Sequence, residues 1–190
     1  QIKSLENIFP EEKFVLLGHS LGSLIAIEIA KRFPNKIEKL ILLSPPSIED
    51  RADLKQILKN QSKWESIMAL DSIWAPLACH IHELLGPLSF YLMRPFVSKN
   101  LPDFIVRDAT KHRWRSYNQS LNNIILSYRA IDHLNQLTID HLILAGDEDG
   151  YTKNDRLQNL NNVQLIPGGH NFLWDNPQKT LAIISKYLQN

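Results

Sequence analysis

Cysteine is nearly missing from this 190-residue chain: Cys79 stands alone, so no disulfide can close within the chain and stability has to come from packing. A reducing compartment, the cytoplasm, is the expectation. Neither sign of charge is in excess. Twenty-one Lys and Arg face 20 Asp and Glu, a formal net charge of +1, which leaves no electrostatic footprint for nucleic acid or an anionic membrane. Long apolar runs are absent as well. The most apolar stretch, 76–97, is interrupted by His80, His82, Glu83, Gly86, Pro87, Arg94 and Pro95, short of the ~18 clean residues of a membrane span. The opening QIKSLENIFPEEK has neither the basic nor the apolar region of a leader, so a protein without stable membrane insertion is expected. What is present is 44% hydrophobic against 22% charged residues, enough for one ordinary globular core.

Short apolar runs alternate with helical patterns, the signature of parallel βαβ units. Residues 14–17 end at Gly18, 39–43 at Ser44-Pro45-Pro46, 141–145 at Gly146, and 163–166 at Pro167-Gly168-Gly169. Between the first two, Leu21, Leu24, Ile25, Ile27, Ala30 and Phe33 recur at helical spacing until Pro34, predicting one right-handed crossover. Asn176-Pro177 reads as a cap and first-turn proline ahead of Leu181, Ile184, Tyr187 and Leu188, predicting a terminal helix.

From 48 to 137 the strand signal disappears. That segment reads as helices broken at Pro76, Gly86-Pro87, Pro95 and Pro102, too long for a simple connection. It carries Trp64, Trp74, Phe90, Tyr91, Met93, Phe96, Phe104 and Trp114, an apolar load expected to form a small core of its own, with some side chains facing a substrate. The expected division is therefore 1–47 with 138–190 as an α/β core, and 48–137 as a helical insertion.

Gly18-His19-Ser20-Leu21-Gly22 sits between a strand and a helix. A serine on so tight a turn needs small neighbours, since the backbone bends sharply and the helix passes close by; Gly18 and Gly22 fit that need. The hydroxyl is then exposed at the sheet's C-terminal edge, and the Leu21 amide, at the helix start, can donate to a developing oxyanion. Serine is a weak nucleophile that needs a base, and the base needs an orienting acid. His170 follows the last strand and so belongs at the same edge as Ser20. After the preceding strand come three carboxylates, Asp147, Glu148 and Asp149.

With Ser, acid and His in that order, the chain resembles the α/β-hydrolase fold family over nearly its whole length. The resemblance implies that Asp149, three residues beyond Gly146, is the acid, with Asp147 and Glu148, which read as a solvated acidic turn, as the fallbacks. It implies a parallel sheet with flanking helices and an inserted helical cap over the site, with His19, Phe90 and Met93 as candidates for the substrate pocket. The implied activity is that of a serine hydrolase acting on a small-molecule ester or related acyl compound, needing no metal or cofactor; a non-catalytic binder of the same fold is the alternative. The family's sheet has about eight strands with the serine after the fifth, whereas Ser20 stands near the start of this sequence, with Ile2, Leu5, Ile8 and Phe9 reading as the end of a preceding helix. The earlier part of the fold, including the loop that supplies the second oxyanion donor, is therefore expected to be absent, at a cost of roughly 100- to 1000-fold in turnover. Two further clusters carry less. On a helix His80 and His82 point to different faces, which speaks against a metal site with Cys79, and Lys111-His112-Arg113-Trp114-Arg115 reads as a solvated helix face.

Overall fold

The computed structural model describes residues 9–61, 74–97, 99–111 and 113–189. Ile2, Leu5, Ile8, Trp64 and His112, and the side chains of His82 and Phe96, lie outside the described residues. In chain order the main elements are β1 (Phe14–His19), α1 (Leu21–Arg32), β2 (Ile37–Leu43), α2 (Arg51–Gln61), α3 (Trp74–Leu85), α4 (Leu88–Met93), α5 (Asp103–Ala109) and α6 (Trp114–Ser120). These are followed by α7 (Ala130–Leu134), β3 (His141–Gly146), α8 (Asn154–Leu157), β4 (Val163–Ile166), α9 (Phe172–Asp175) and α10 (Pro177–Gln189). Two compact units result, one of residues 1–48 with 128–190 and one of residues 49–127.

The first unit is built on a four-stranded sheet in the order β1-β2-β3-β4, every neighbouring pair parallel. This is the parallel sheet with flanking helices that the resemblance implies. Leu142, Ile143, Leu144 and Ala145 of β3 are all buried, the continuous apolar run of a strand covered on both faces. Ile41, Leu43, Leu142, Leu144 and Ile166 gather with Phe172, and Ile183, Ile184 and Tyr187 of α10 pack against them. By strand alternation Leu40 and Leu42 point to the opposite face, where α1 lies along β1 and β2. In the described sheet β1 is an edge strand, with Val15 and Leu17 left 41% and 49% exposed. The chain rejoins this unit at Tyr128 rather than at 138, because α7 buries Ala130 and Leu134 while Tyr128 donates to Glu28 of α1 at 3.0 Å.

The second unit is helical. Pro76 does not break it: it falls in the first turn of α3, where its missing N–H has no intrahelical acceptor to forgo. Gly86, at φ 50°, makes the turn into α4, a conformation glycine adopts without strain. The expected core is only partly formed. Leu54, Ile57, Leu58, Cys79, Phe90 and Val106 are buried, but Leu84, Leu88, Tyr91, Leu92 and Phe104 are more than half exposed. Helix α4 is six residues long and buries only Ser89 and Phe90, so the rest of its apolar surface is open. Among the described residues no helix is long and apolar enough to cross a membrane.

Candidate active site

Three strand ends converge at one edge of the sheet. Ser20 follows β1 with φ 55° and ψ −125°, a conformation rare for a non-glycine residue and therefore strained. Local bonds hold it there. The Ser20 amide donates to the Leu43 carbonyl of β2 at 2.9 Å. The buried Ser23 hydroxyl lies 2.8 Å from the Gly18 carbonyl and 3.0 Å from that of Leu43, bridging the turn to the neighbouring strand. The two glycines of the motif are not equivalent. A Cβ on Gly18 would lie 2.5 Å from the Gly22 carbonyl oxygen, whereas one on Gly22 would meet nothing within 4 Å, so close approach demands glycine only at Gly18.

Across this turn the His170 Nε2 is 2.8 Å from Ser20 Oγ, and its Nδ1 is 2.9 Å from Asp149 Oδ2 and 3.1 Å from Oδ1. The carboxylate can only accept, so Nδ1 carries the proton and Nε2 offers its lone pair to the serine hydroxyl. The Asp149 side chain is fully buried and that of His170 is 19% exposed. Burial alone would raise the Asp149 pKa, but the His170 ring and the Tyr151 amide, which donates at 2.9 Å, outweigh it and hold the carboxyl below its ordinary value. Tyr151 also stands edge-on to the His170 ring, 5.0 Å between centroids.

Asp147 and Glu148 lie apart from this relay. The Asp147 carboxylate accepts from the Gly168 amide at 2.8 Å, and the Glu148 amide donates to the Gly168 carbonyl at 3.0 Å. The acidic turn is thus tied to the histidine loop rather than merely solvated. Gly146 makes this approach feasible, because a Cβ there would come within 2.3 Å of both the Gly168 and Gly169 carbonyl oxygens. On its other side the acid loop is fastened to the segment after β2: the Ser47 amide donates to Tyr151, the Lys153 amide donates to Ser47 Oγ, and Arg156 donates to the Ser47 carbonyl. The Asn176 side chain donates to the Pro167 carbonyl at 2.7 Å, linking the start of α10 to the same loop.

His19 lies beside the relay. Its Nε2 donates to the His170 carbonyl at 3.2 Å, and the two rings are 5.4 Å apart. Burial lowers its pKa, favouring the neutral ring that makes this bond. Leu21 opens α1, so its amide is among the first-turn N–H groups with no intrahelical acceptor. Phe90 and Met93 belong to the second unit, where Phe90 is buried and Met93 is 38% exposed. Among the described residues no group of three or more His, Cys, Asp or Glu could hold a metal ion.

The sequence matches the family model described as alpha/beta hydrolase fold over residues 1–177. The chain belongs to the α/β-hydrolase fold family. A 1-acylglycerol-3-phosphate O-acyltransferase, ICT1, of Saccharomyces cerevisiae is 24% identical over 93% of this α/β-hydrolase chain. The alignment covers 55% of that relative, so the chain spans little more than half its length. Solved structures share the fold at lower identity. E-2-(acetamidomethylene)succinate hydrolase superposes with a TM-score of 0.63 at 16% identity, covering 100% of this chain and 70% of its own. A thermophilic esterase from Thermogutta terrifontis superposes with a TM-score of 0.54 at 17% identity, covering 98% and 68%.

Proposed function

We propose that this chain is a serine hydrolase that cleaves a carboxylic ester or related small acyl compound through an acyl-enzyme on Ser20. The observation that carries this reading is the unbroken relay from Ser20 Oγ through His170 to Asp149, at 2.8 Å and 2.9 Å. His170 Nε2 takes the serine proton as Oγ bonds to the substrate carbonyl carbon, and Asp149 holds the Nδ1–H tautomer and stabilises the imidazolium. Negative charge moves onto the carbonyl oxygen, where the Leu21 amide donates to it. As the intermediate collapses, the carbon–oxygen bond to the leaving group breaks, and His170 returns its proton to the departing alcohol. Water, activated by the same histidine, then releases the acid and regenerates Ser20.

A second reading follows from the yeast relative, whose name states an O-acyltransferase: an alcohol takes the place of water in the second half-reaction. Up to the acyl-enzyme the two are the same chemistry. Hydrolysis of p-nitrophenyl butyrate, with and without an added alcohol, tests both. The expected result is turnover lost in Ser20→Ala and lowered by ~10⁴ or more in His170→Ala, with free butyrate as the main product. A butyrate ester of the added alcohol as the main product would replace hydrolysis by transfer. Equal turnover in wild type and Ser20→Ala would overturn both.

A further inference from the structure

The second unit contains a cleft of about 860 Å³, within the range that small-molecule sites occupy. Its walls come from α3, α4, α5, α6 and the turns between them. Arg107, Lys111, Arg113 and Arg115 face it together with Phe90 and Trp114, and Glu83 is the single carboxylate among the lining residues. That concentration is local, since the whole chain carries a formal net charge of only +1.

Two of the four cations are already engaged. Lys111 pairs with Asp108 at 2.7 Å, and Arg113 approaches Glu83 at 3.7 Å, a carboxylate shared with His80 at 3.5 Å. Arg107 and Arg115 have no carboxylate partner among the described residues; the Arg107 guanidinium lies over the Phe90 ring, 4.4 Å from its centre. A flat guanidinium presents paired N–H donors that match the oxygens of a phosphate, and stacking on an aromatic ring keeps it oriented without using those donors. Trp114, partly exposed on the cleft wall, suits an apolar substituent. A free inorganic anion would leave it uncovered, and a purely apolar ligand would leave two guanidinium groups unanswered.

We propose that this cleft is a binding site for an organic phosphate monoester that carries an apolar group, held by Arg107, stacked on Phe90, and by Arg115, with Trp114 against its apolar part. The site needs no chemistry at Ser20, so its occupancy is independent of the proposed hydrolase activity.

Isothermal titration calorimetry of the full chain with hexyl phosphate, hexanol and inorganic phosphate tests this directly. One hexyl phosphate should bind per chain, at least about tenfold more tightly than either of the other two. Arg115→Gln and Arg107→Gln should each weaken it about tenfold, while Lys59→Gln, an exposed cation of α2, and Ser20→Ala should leave it unchanged. Quenching of tryptophan fluorescence by hexyl phosphate should vanish in Trp114→Phe. Circular dichroism should show the arginine variants folded, as their exposed side chains lead one to expect. Hexyl phosphate binding no tighter than hexanol or inorganic phosphate, or unaffected in both folded arginine variants, would overturn the proposal. So would sedimentation with phosphatidylcholine vesicles containing phosphatidylserine that hexyl phosphate fails to displace, since the basic face would then serve a membrane surface instead.

Discussion

Asp149 is the residue whose surroundings bear most directly on stability. Its folded pKa is depressed, whereas an unfolded aspartate titrates near pH ~4. Between those values the unfolded chain holds a proton that the folded chain does not, so stability increases with pH across that window. The contribution is complete above the unfolded value and is lost as pH falls through the folded one. Asp149→Asn lacks this component, so its urea midpoint should fall less than that of wild type between about pH 5 and pH 3; parallel slopes would show that Asp149 makes no such contribution. His19 lies one step further out, bonded to the His170 carbonyl, and the proposed mechanism gives it a positioning role in place of the expected one in the substrate pocket. His19→Phe keeps a ring and loses the donor, which should lower kcat for p-nitrophenyl butyrate about tenfold with little change in KM. A KM effect alone would place His19 in substrate binding.

Among the elements, the close packing of strand ends decides the site. Gly146→Ala should force the acid and histidine loops apart and destabilise the protein by about 1–3 kcal/mol, read as a lower urea midpoint accompanied by loss of the proposed hydrolysis of p-nitrophenyl butyrate; an unchanged midpoint would mean that the loops can absorb a methyl group. The four strands were legible in sequence because each is a short apolar run ended by turn residues, and the β1 run lengthened only as far as His19. The turn that carries Ser20 was legible for the same reason, since strand, Gly-rich turn and helix fix Ser20 locally. Less visible were Ser23, Ser47 and Gly146, which act across the sheet. A buried serine three residues after the motif serine was the one local hint, being a polar residue on the apolar face of α1. The inserted helices gave the weakest signal, because short helices rich in Leu and aromatic residues look alike whether they bury those side chains, as at Phe90, or expose them, as at Leu84 and Tyr91.

At the scale of the whole molecule, the proposed chemistry and the proposed anion site fall in different compact units, which makes them separable by experiment. The first unit supplies the serine, histidine and acid from three strand ends; the second supplies the basic cleft from short helices and turns. Family membership and the topology of the sheet agree with what the order of Ser20, Asp149 and His170 implied, because chain order and strand succession are written in the sequence. The basic cleft was not legible as such: Lys111, Arg113 and Arg115 read as one solvated face, and Arg107, Phe90 and Glu83 join them only through the fold. The most direct single test of the relay is covalent labelling of the folded chain with a fluorophosphonate, read by intact mass, because the reagent reports an activated serine without requiring the natural substrate. One adduct per chain is predicted, absent in Ser20→Ala and strongly reduced in His170→Ala. No adduct on soluble, folded protein, or an adduct that persists in Ser20→Ala, would contradict it.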